Sequence, residues 1–289
     1  MALKRNLTEL KFCESIASEH VFTSDFYEIK NWAFDFPKAE KLNTGFNDCF
    51  CIVFIKNGNL HIDLATKSFD MHIGHVVIEK ANYEYRLRPA LGECSIFNFT
   101  NSFYERLVED FELKKSFFFY NPNILSLILN SSPEIDYLHH QIMKKVGNAG
   151  KLEIDSLVLA LVQQITDCIA DQSLDTELSA SLKRNHIGTI EKAKEYMNSQ
   201  FVDDISLNEL ADYCNVSLFH FSRIFKKFTE YSPYQYLTNI RMKHAEMLLR
   251  NTNRPVTDIC FTSGFNSIEH FATMFKQKYK LNPTQYRKE

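Results

Sequence analysis

Glycine is scarce in this chain: eight residues out of 289. Loops that cradle phosphates need closely spaced glycines, so that backbone N–H groups can approach the ligand. No such loop is present, and no Gly-x-Ser-x-Gly nucleophile elbow. Long apolar runs are lacking too: nothing approaches the roughly 18 consecutive apolar residues of a membrane span. The opening stretch, MALKRNLTELKF, turns charged before the apolar core of a signal peptide could form. These absences predict a cytoplasmic protein with no membrane partner.

Cysteine is present but in no useful pattern. The seven, Cys13, Cys49, Cys51, Cys94, Cys168, Cys214 and Cys260, are odd in number and include no Cys-x-x-Cys pair. A disulfide framework or a zinc site is therefore not expected, and the thiols read as small buried hydrophobes. A catalytic metal centre would need two or three histidines converging with a carboxylate. His72 and His75 are three apart, which on one strand puts them on opposite faces. His61 could join only one of them, and His139 and His140 are adjacent on a helix and diverge. No enzyme and no cofactor are expected.

What the chain does have is an uneven charge. Its net charge is -3, but residues 187–289 hold 14 Lys+Arg against 11 Asp+Glu, a balance of +3. The 19 and 25 left for residues 1–186 give -6. Positive charge thus collects at the C-terminal end.

The predicted architecture is α+β with two domains. DCFCIVFIKNGNLHIDL sets Asn57-Gly58 between two apolar runs, the strongest short hairpin signal. GHVVIEK, YEYRLRP and CSIFNF add short strands, which together suggest a sandwich or small barrel. From about Phe111 the spacing turns helical. In KLEIDSLVLALVQQITDCIADQ, Leu157, Leu161, Ile165 and Cys168 form one stripe, with Val158, Val162 and Ile169 beside it. The stripe could pack on the strands or on a second copy of itself. DQSLDTELSASLKRN loses the period and reads as a linker. The predicted divisions are a barrel over 1–112, a helical packing or dimerisation region over 113–172, a linker over 173–186 and an all-α domain over 187–289.

Within that last domain the chain repeats itself. HFSRIFKKFTEYSPYQY starts at His220 and HFATMFKQKYKLNPTQY at His270, with seven of 17 positions identical. Each copy reads as a short helix, a tight turn and a longer helix, the helix-turn-helix shape. The second turn has one extra residue, within SGFN. A solenoid would need at least three such units, and an ordinary α-domain with accidental similarity is the other alternative. Exposed side chains decide between them. On Ser217–Thr229, Phe221, Ile224, Phe225 and Phe228 share one face and are assigned to the core. The other face carries Phe219, His220, Ser222, Arg223, Lys226 and Lys227, groups suited to base edges and phosphates. In the second copy Phe271, Met274 and Phe275 are assigned to the core. Ile268, Glu269, His270, Thr273 and Lys276 face out. This second face is less basic, so weaker or more selective contacts are expected. A connecting helix over Pro233–Leu249 would be about 26 Å long at ~1.5 Å per residue, against ~34 Å between major-groove segments on one face of DNA.

From Ile187 to Lys288 the sequence resembles the AraC/XylS-type bacterial transcription regulators. The most specific stretch is PVTDICFTSGFNSIEHFATMFKQKYKLNPTQYR, and SLNELADYCNVSLFHFSRIFKKFTEYSPYQYL matches as well. By position, the resemblance implies Phe219, Ser222 and Arg223 toward bases, with Lys226 near phosphate. It also implies Ile268, Glu269, His270 and Thr273 in the second unit, Lys276 nearby, and Arg241 as a DNA-backbone contact. IKNGNLHI and HIGHVVIEKANYEYRL look like the cupin-type sensor domain often attached in this family. The implied partners are double-stranded promoter DNA, a small-molecule effector in the barrel, RNA polymerase for an activator, and a second copy of the chain. Two alternatives stand: an N-terminal domain that only dimerises or meets a protein partner, and a cytosolic cupin enzyme with a helical appendage. In one respect the chain departs from the family: Glu230 and Lys280 stand where a glycine often follows each recognition helix. A left-handed non-glycine residue costs roughly 1 kcal/mol, so a locally different turn is expected there.

Overall fold

A computed structural model describes residues 16–35, 43–64, 68–88, 90–110, 117–171 and 180–288. The chain divides into two compact units. The first comprises Met1–Asn130, Val146–Lys151 and Thr166–Ser173; the second comprises Ser131–Lys145, Leu152–Ile165 and Leu174–Glu289.

The first unit is mainly sheet. Its strands are β1 (Ile16–Thr23), β2 (Tyr27–Asp35), β3 (Asn43–Asn47), β4 (Phe50–Asp63), β5 (Ser68–His72), β6 (His75–Glu79), β7 (Tyr83–Leu87), β8 (Leu91–Phe99) and β9 (Ser126–Asn130). Helices α1 (Asn101–Asp110) and α2 (Phe117–Tyr120) lie between β8 and β9 in sequence. Hydrogen bonding runs β1-β2-β8-β4-β6-β9, with β5 and β7 also on β4 and β3 on β7. Among the described residues this path stays open from β1 to β9.

β4 is the spine. Phe50, Cys51, Ile52, Val53, Phe54 and Ile55 are all buried, so both faces are covered. Cys51, Val53 and Ile55 join a core with Trp32, Phe34, Leu60, Met71, Val77, Leu87 and Cys94. On the other face Phe50 meets Phe99 and Phe54 meets Phe97, each pair 5.7 Å between ring centroids. Cys51, Cys94, Cys214 and Cys260 are buried and free, as small hydrophobes should be. Cys13 falls outside the described residues.

Two sequence expectations fail here. Asn57-Gly58 does not turn a hairpin; β4 runs straight through it. The register against β8 slips between Ile55 and Asn57, and Gly58 takes φ +72° with the Leu91 carbonyl oxygen only 1.9 Å from where a Cβ would sit. The slip is a β-bulge at Lys56, and Gly58 beside it is a single left-handed residue where a type I′ turn needs two. Neither do His72 and His75 occupy opposite faces of one strand. β5 ends at His72, Gly74 turns the chain at φ +87°, and His75 starts β6. β5 and β6 follow one another along the same edge of β4, and the break at Ile73–Gly74 brings the two imidazoles to 3.7 Å between centroids. No group of three or more His, Cys, Asp or Glu side chains arranged to hold a metal occurs among the described residues.

The second unit is helical: α3 (Pro133–Lys145), the central part of α4 (Lys151–Asp171), α5 (Ala180–Gln200), α6 (Leu207–Tyr213), α7 (Leu218–Thr229), α8 (Pro233–Asn251), α9 (Val256–Thr262), α10 (Ile268–Tyr279) and α11 (Pro283–Tyr286). The predicted linker lies partly outside the described residues, and from Ala180 the chain is already in α5. The expected stripe on α4 is real but covered: Leu157, Val158, Leu161, Val162 and Ile165 are all at most 4% exposed.

α3 packs on α8 and α5. Asp136 of α3 accepts from the Lys194 ammonium at 2.6 Å, from the Tyr236 hydroxyl at 2.6 Å and from the Ser131 hydroxyl at 2.5 Å. Burial alone would raise its pKa, but these donors together hold the carboxyl below the usual range. Beside it, the Tyr137 hydroxyl lies 2.6 Å from Nδ1 of His244 on α8. Burial, then Arg254 and Lys145, lower the His244 pKa to about 4.

Candidate nucleic-acid interface

Local chemistry sets each helix of the two repeats. Ser206 caps α6 with Glu209 answering it, the Glu209 N–H donating to Ser206 Oγ at 3.1 Å. Asn215 then turns the chain at φ +55°, and Ser217 starts α7. The second unit uses Gly264, φ +83°, for the equivalent turn. Its reach is longer: Ser263–Ser267 link α9 to α10, where Cys214–Ser217 link α6 to α7. A Cβ on Gly264 would meet the Phe201 carbonyl oxygen at 2.7 Å and Arg241 Nε at 2.8 Å.

The shared Pro and Gln of the repeats are capping residues. Ser232 and Gln235 form a capping box on α8, and Asn282 and Gln285 form one on α11, each with Pro at the first helical position. The pattern Ser/Asn-Pro-x-Gln was the available signal for this role. Glu230 and Lys280, expected to force different turns, instead adopt the left-handed conformation of the family's glycine, at φ 66°, ψ -9° and φ 65°, ψ -5°. Each donates its N–H four residues back, to Lys226 and Lys276. The helix end thus absorbs the strain of a Cβ rather than avoiding it.

α7 sorts its side chains as expected, with one adjustment. Phe221, Ile224 and Phe225 are buried, while Phe228 is only half-buried. Outward, Phe219 is 86% exposed, and Arg223, Lys226 and Lys227 are exposed with Ser222 half-buried. These five line one open hollow. His220 sits at its edge, its Nδ1 3.5 Å from Arg223 Nη2 and its ring 4.9 Å from that of His186 on α5.

On α10, Phe271 and Phe275 are fully buried and Met274 half-buried. Glu269, His270, Thr273 and Lys276 are exposed. Ile268 is half-buried and packs on the apolar cluster of Met242, Leu249, Ile259, Phe271 and Phe275. Ser267 accepts from the His270 N–H at 3.2 Å and donates to the Glu269 carboxylate at 2.8 Å, holding that carboxyl below its usual range. The Thr273 hydroxyl donates to the Glu269 carbonyl at 2.8 Å, leaving its oxygen free to accept.

Arg241 stands apart from both faces. It is half-buried on α8 and donates to the Phe201 and Asp203 carbonyls, each at 2.7 Å. Its guanidinium closes the chain leaving α5, under the turn at Gly264.

Two short-helix, turn, long-helix units joined by one 19-residue helix, with cations and hydrogen-bonding groups on both long helices, define a double helix-turn-helix DNA-binding domain. Residues 210–289 match the family model described as a helix-turn-helix domain. The chain is 30% identical over 103 residues to the transcriptional activator RhaS of an Enterobacter species, covering 36% of this chain and 37% of that protein. It is 27% identical over 179 residues to the transcriptional regulator MtrA of Neisseria gonorrhoeae, covering 56% and 58%. It is also 32% identical over 93 residues to AdaA of Bacillus subtilis, named a bifunctional transcriptional activator and DNA repair enzyme, covering 32% and 44%. The chain thus spans between 37% and 58% of the length of these relatives.

Proposed function

We propose that this protein is a sequence-specific, effector-responsive transcription regulator that lays α7 and α10 into successive major grooves of promoter DNA. The observation that carries the reading is the outer face of α7, where Phe219, Ser222, Arg223, Lys226 and Lys227 gather around one hollow. Arg223 is suited to a guanine edge, Phe219 to a thymine methyl, and Lys226 and Lys227 to phosphates. On α10, Glu269 would accept from a cytosine amino group, with His270 and Thr273 beside it and Lys276 at phosphate. Ile268 offers only part of its surface. Arg241 acts on DNA indirectly, by fixing the turn at Gly264.

The sheet-rich unit is proposed to be a cupin-like sensor. Glu79 supports this: it is 8% exposed, yet its carboxylate is met by neutral donors, the Cys51 thiol at 3.3 Å and the Ser126 hydroxyl at 3.2 Å. A recognition group of that kind inside an apolar core suits a small-molecule effector. Dimerisation is proposed through the outer face of α4, where Leu152 and Leu159 are 80% and 48% exposed. Contact with RNA polymerase would follow if the protein activates. The protein is proposed to be cytoplasmic and not an enzyme; no helix among the described residues is long and apolar enough to cross a membrane.

The test is to recover bound genomic DNA, then titrate the recovered duplex by fluorescence anisotropy at several salt concentrations. Arg223→Ala should lose roughly 1–3 kcal/mol on that duplex and relax base choice at one position. Lys226→Ala should weaken all duplexes alike and shift the salt slope by about 1. If neither substitution changes affinity, the assignment of the α7 face is wrong.

A further inference from the structure

α3 precedes the two helix-turn-helix units by more than fifty residues of chain, yet it belongs to the same compact unit. Only Ser131 and Ser132 separate it from β9. Within its first turns it reaches three different helices of the reading domain. Glu134, 9% exposed, forms an ion pair with Lys278 of α10. The same Lys278 ammonium donates to Asn239 Oδ1 of α8 at 2.8 Å. Asp136 takes the Lys194 ammonium of α5 and the Tyr236 hydroxyl of α8, both at 2.6 Å. Tyr137 meets His244 of α8.

The direction of the grip on α10 matters. Lys278 is two residues beyond Lys276, about 200° around the helix at 100° per residue. Glu134 therefore holds α10 from the side away from its exposed face. A largely buried ion pair penalises displacement steeply, because a parted charge is left without a partner or water. An apolar contact would tolerate the same small slide at little cost. Lys278 is shared between an acid on α3 and an amide on α8, so one ammonium ties α10 to both helices.

We propose that α3 is a positioning element of the DNA-reading domain. Glu134, through Lys278, sets the placement of α10, and Asp136, through Lys194 and Tyr236, sets α5 against α8. These side chains act through the recognition helices rather than on DNA. The proposal rests on the DNA-reading function above.

The experiment is hydroxyl-radical footprinting of the full chain on the duplex recovered from genomic binding, scoring the two half-sites separately, with thermal melts run alongside. Glu134→Gln keeps the side-chain volume and removes the charge. Expected is a loss of protection at the α10 half-site of between about 2-fold and 30-fold, with the α7 half-site unchanged. Glu134→Lys should lose more, and combining it with Lys278→Glu should restore protection. If Glu134→Lys does not fold, Glu134→Gln alone carries the test. Protection falling equally at both half-sites, in step with lost thermal stability, would mean that α3 only stabilises the domain and would overturn the proposal. So would unchanged footprints in Glu134→Gln. If the unaltered protein protects no duplex at all, the DNA-reading function itself fails and this proposal with it.

Discussion

Tyr236 and Tyr286 occupy the same place in the two repeats, but their hydroxyls go to different partners. Tyr236 is fully buried and donates to Asp136 of α3 at 2.6 Å, in a site shared with the Lys194 ammonium. Tyr286 is half-buried and donates to Glu246 of α8 at 3.0 Å, under the Arg250 guanidinium 5.0 Å from its ring. The first helix-turn-helix unit is thus fastened by a buried polar joint to a helix outside the repeat. In the second, the tyrosine closes on the shared helix α8, and the tie to α3 runs instead through Lys278 of α10. A duplicated unit keeps the residues that build its helices, and diverges where each copy meets its surroundings.

Acid should act most strongly on the seam between α3 and α8, where His244 meets Tyr137 beside the Tyr236 joint. His244 has its pKa lowered to about 4 by burial, Arg254 and Lys145, against an ordinary histidine value near 6.5. Between those values the unfolded chain binds a proton that the folded chain does not, so stability falls as pH drops. The full effect is about 3 kcal/mol by pH 4. Asp136, also depressed, adds to the loss only as pH falls further, toward its own folded value. The measurement is urea unfolding followed by circular dichroism at 222 nm from pH 7 to pH 4.5, which reports the helices. Trp32, the single tryptophan, reports the sheet-rich unit in parallel. His244→Gln should flatten the helical dependence. An unaltered slope in that variant would remove His244 from the account.

The hydroxyls give the sharper comparison. Tyr236→Phe leaves a buried carboxylate short of one donor, which costs about 1.5–3 kcal/mol for a bond to a charged group. Tyr286 is itself half-buried, and Glu246 keeps its ion pairs with Arg250 and Lys243, so Tyr286→Phe should cost less, about 1 kcal/mol. Equal costs in urea denaturation would show that the two joints are equivalent despite their different partners.

What could be read in advance from the sequence follows the range of each interaction. The repeat boundaries were legible because their signals are local: Ser206 with Glu209, and Pro233 and Pro283 at the first helical positions, act within four residues. The outward faces of α7 and α10 were legible from helical period alone, apart from His220, Ser222, Phe228, Ile268 and Met274, which are half-buried between the faces. Asn57-Gly58 misled because a turn signal is local whereas β4 is kept extended past it by β8, more than 30 residues along the chain. His72 and His75 misled because alternation was applied across a turn at Gly74. The bonds from Arg241 to the Phe201 and Asp203 carbonyls, some 40 residues away, were not legible either. Nothing in the sequence announced α3 as part of the reading domain, since Glu134 and Lys278 are 144 residues apart and a salt bridge leaves no periodicity.

The smallest difference between the repeats is also the cleanest to measure. Glu230 and Lys280 end α7 and α10 in nearly identical left-handed conformations, so the backbone strain relieved by glycine is the same in both, about 1–2 kcal/mol. Glycine gives back roughly 0.5–1 kcal/mol of that through the freedom it adds to the unfolded chain. The remaining difference is electrostatic. A helix C-terminus carries partial negative charge, which opposes Glu230 and favours Lys280 by about 0.3–1 kcal/mol each at low salt. Lys280 also donates to the Gln277 carbonyl at 3.1 Å. Glu230→Gly should therefore stabilise the helical unit by about 1 kcal/mol, while Lys280→Gly should be close to neutral. Raising the salt concentration should bring the two values together, because exposed charges are screened within about 10 Å at 0.1 M. If the values start equal at low salt, helix-end charge does not distinguish the repeats, and only the joints to α3 and α8 do.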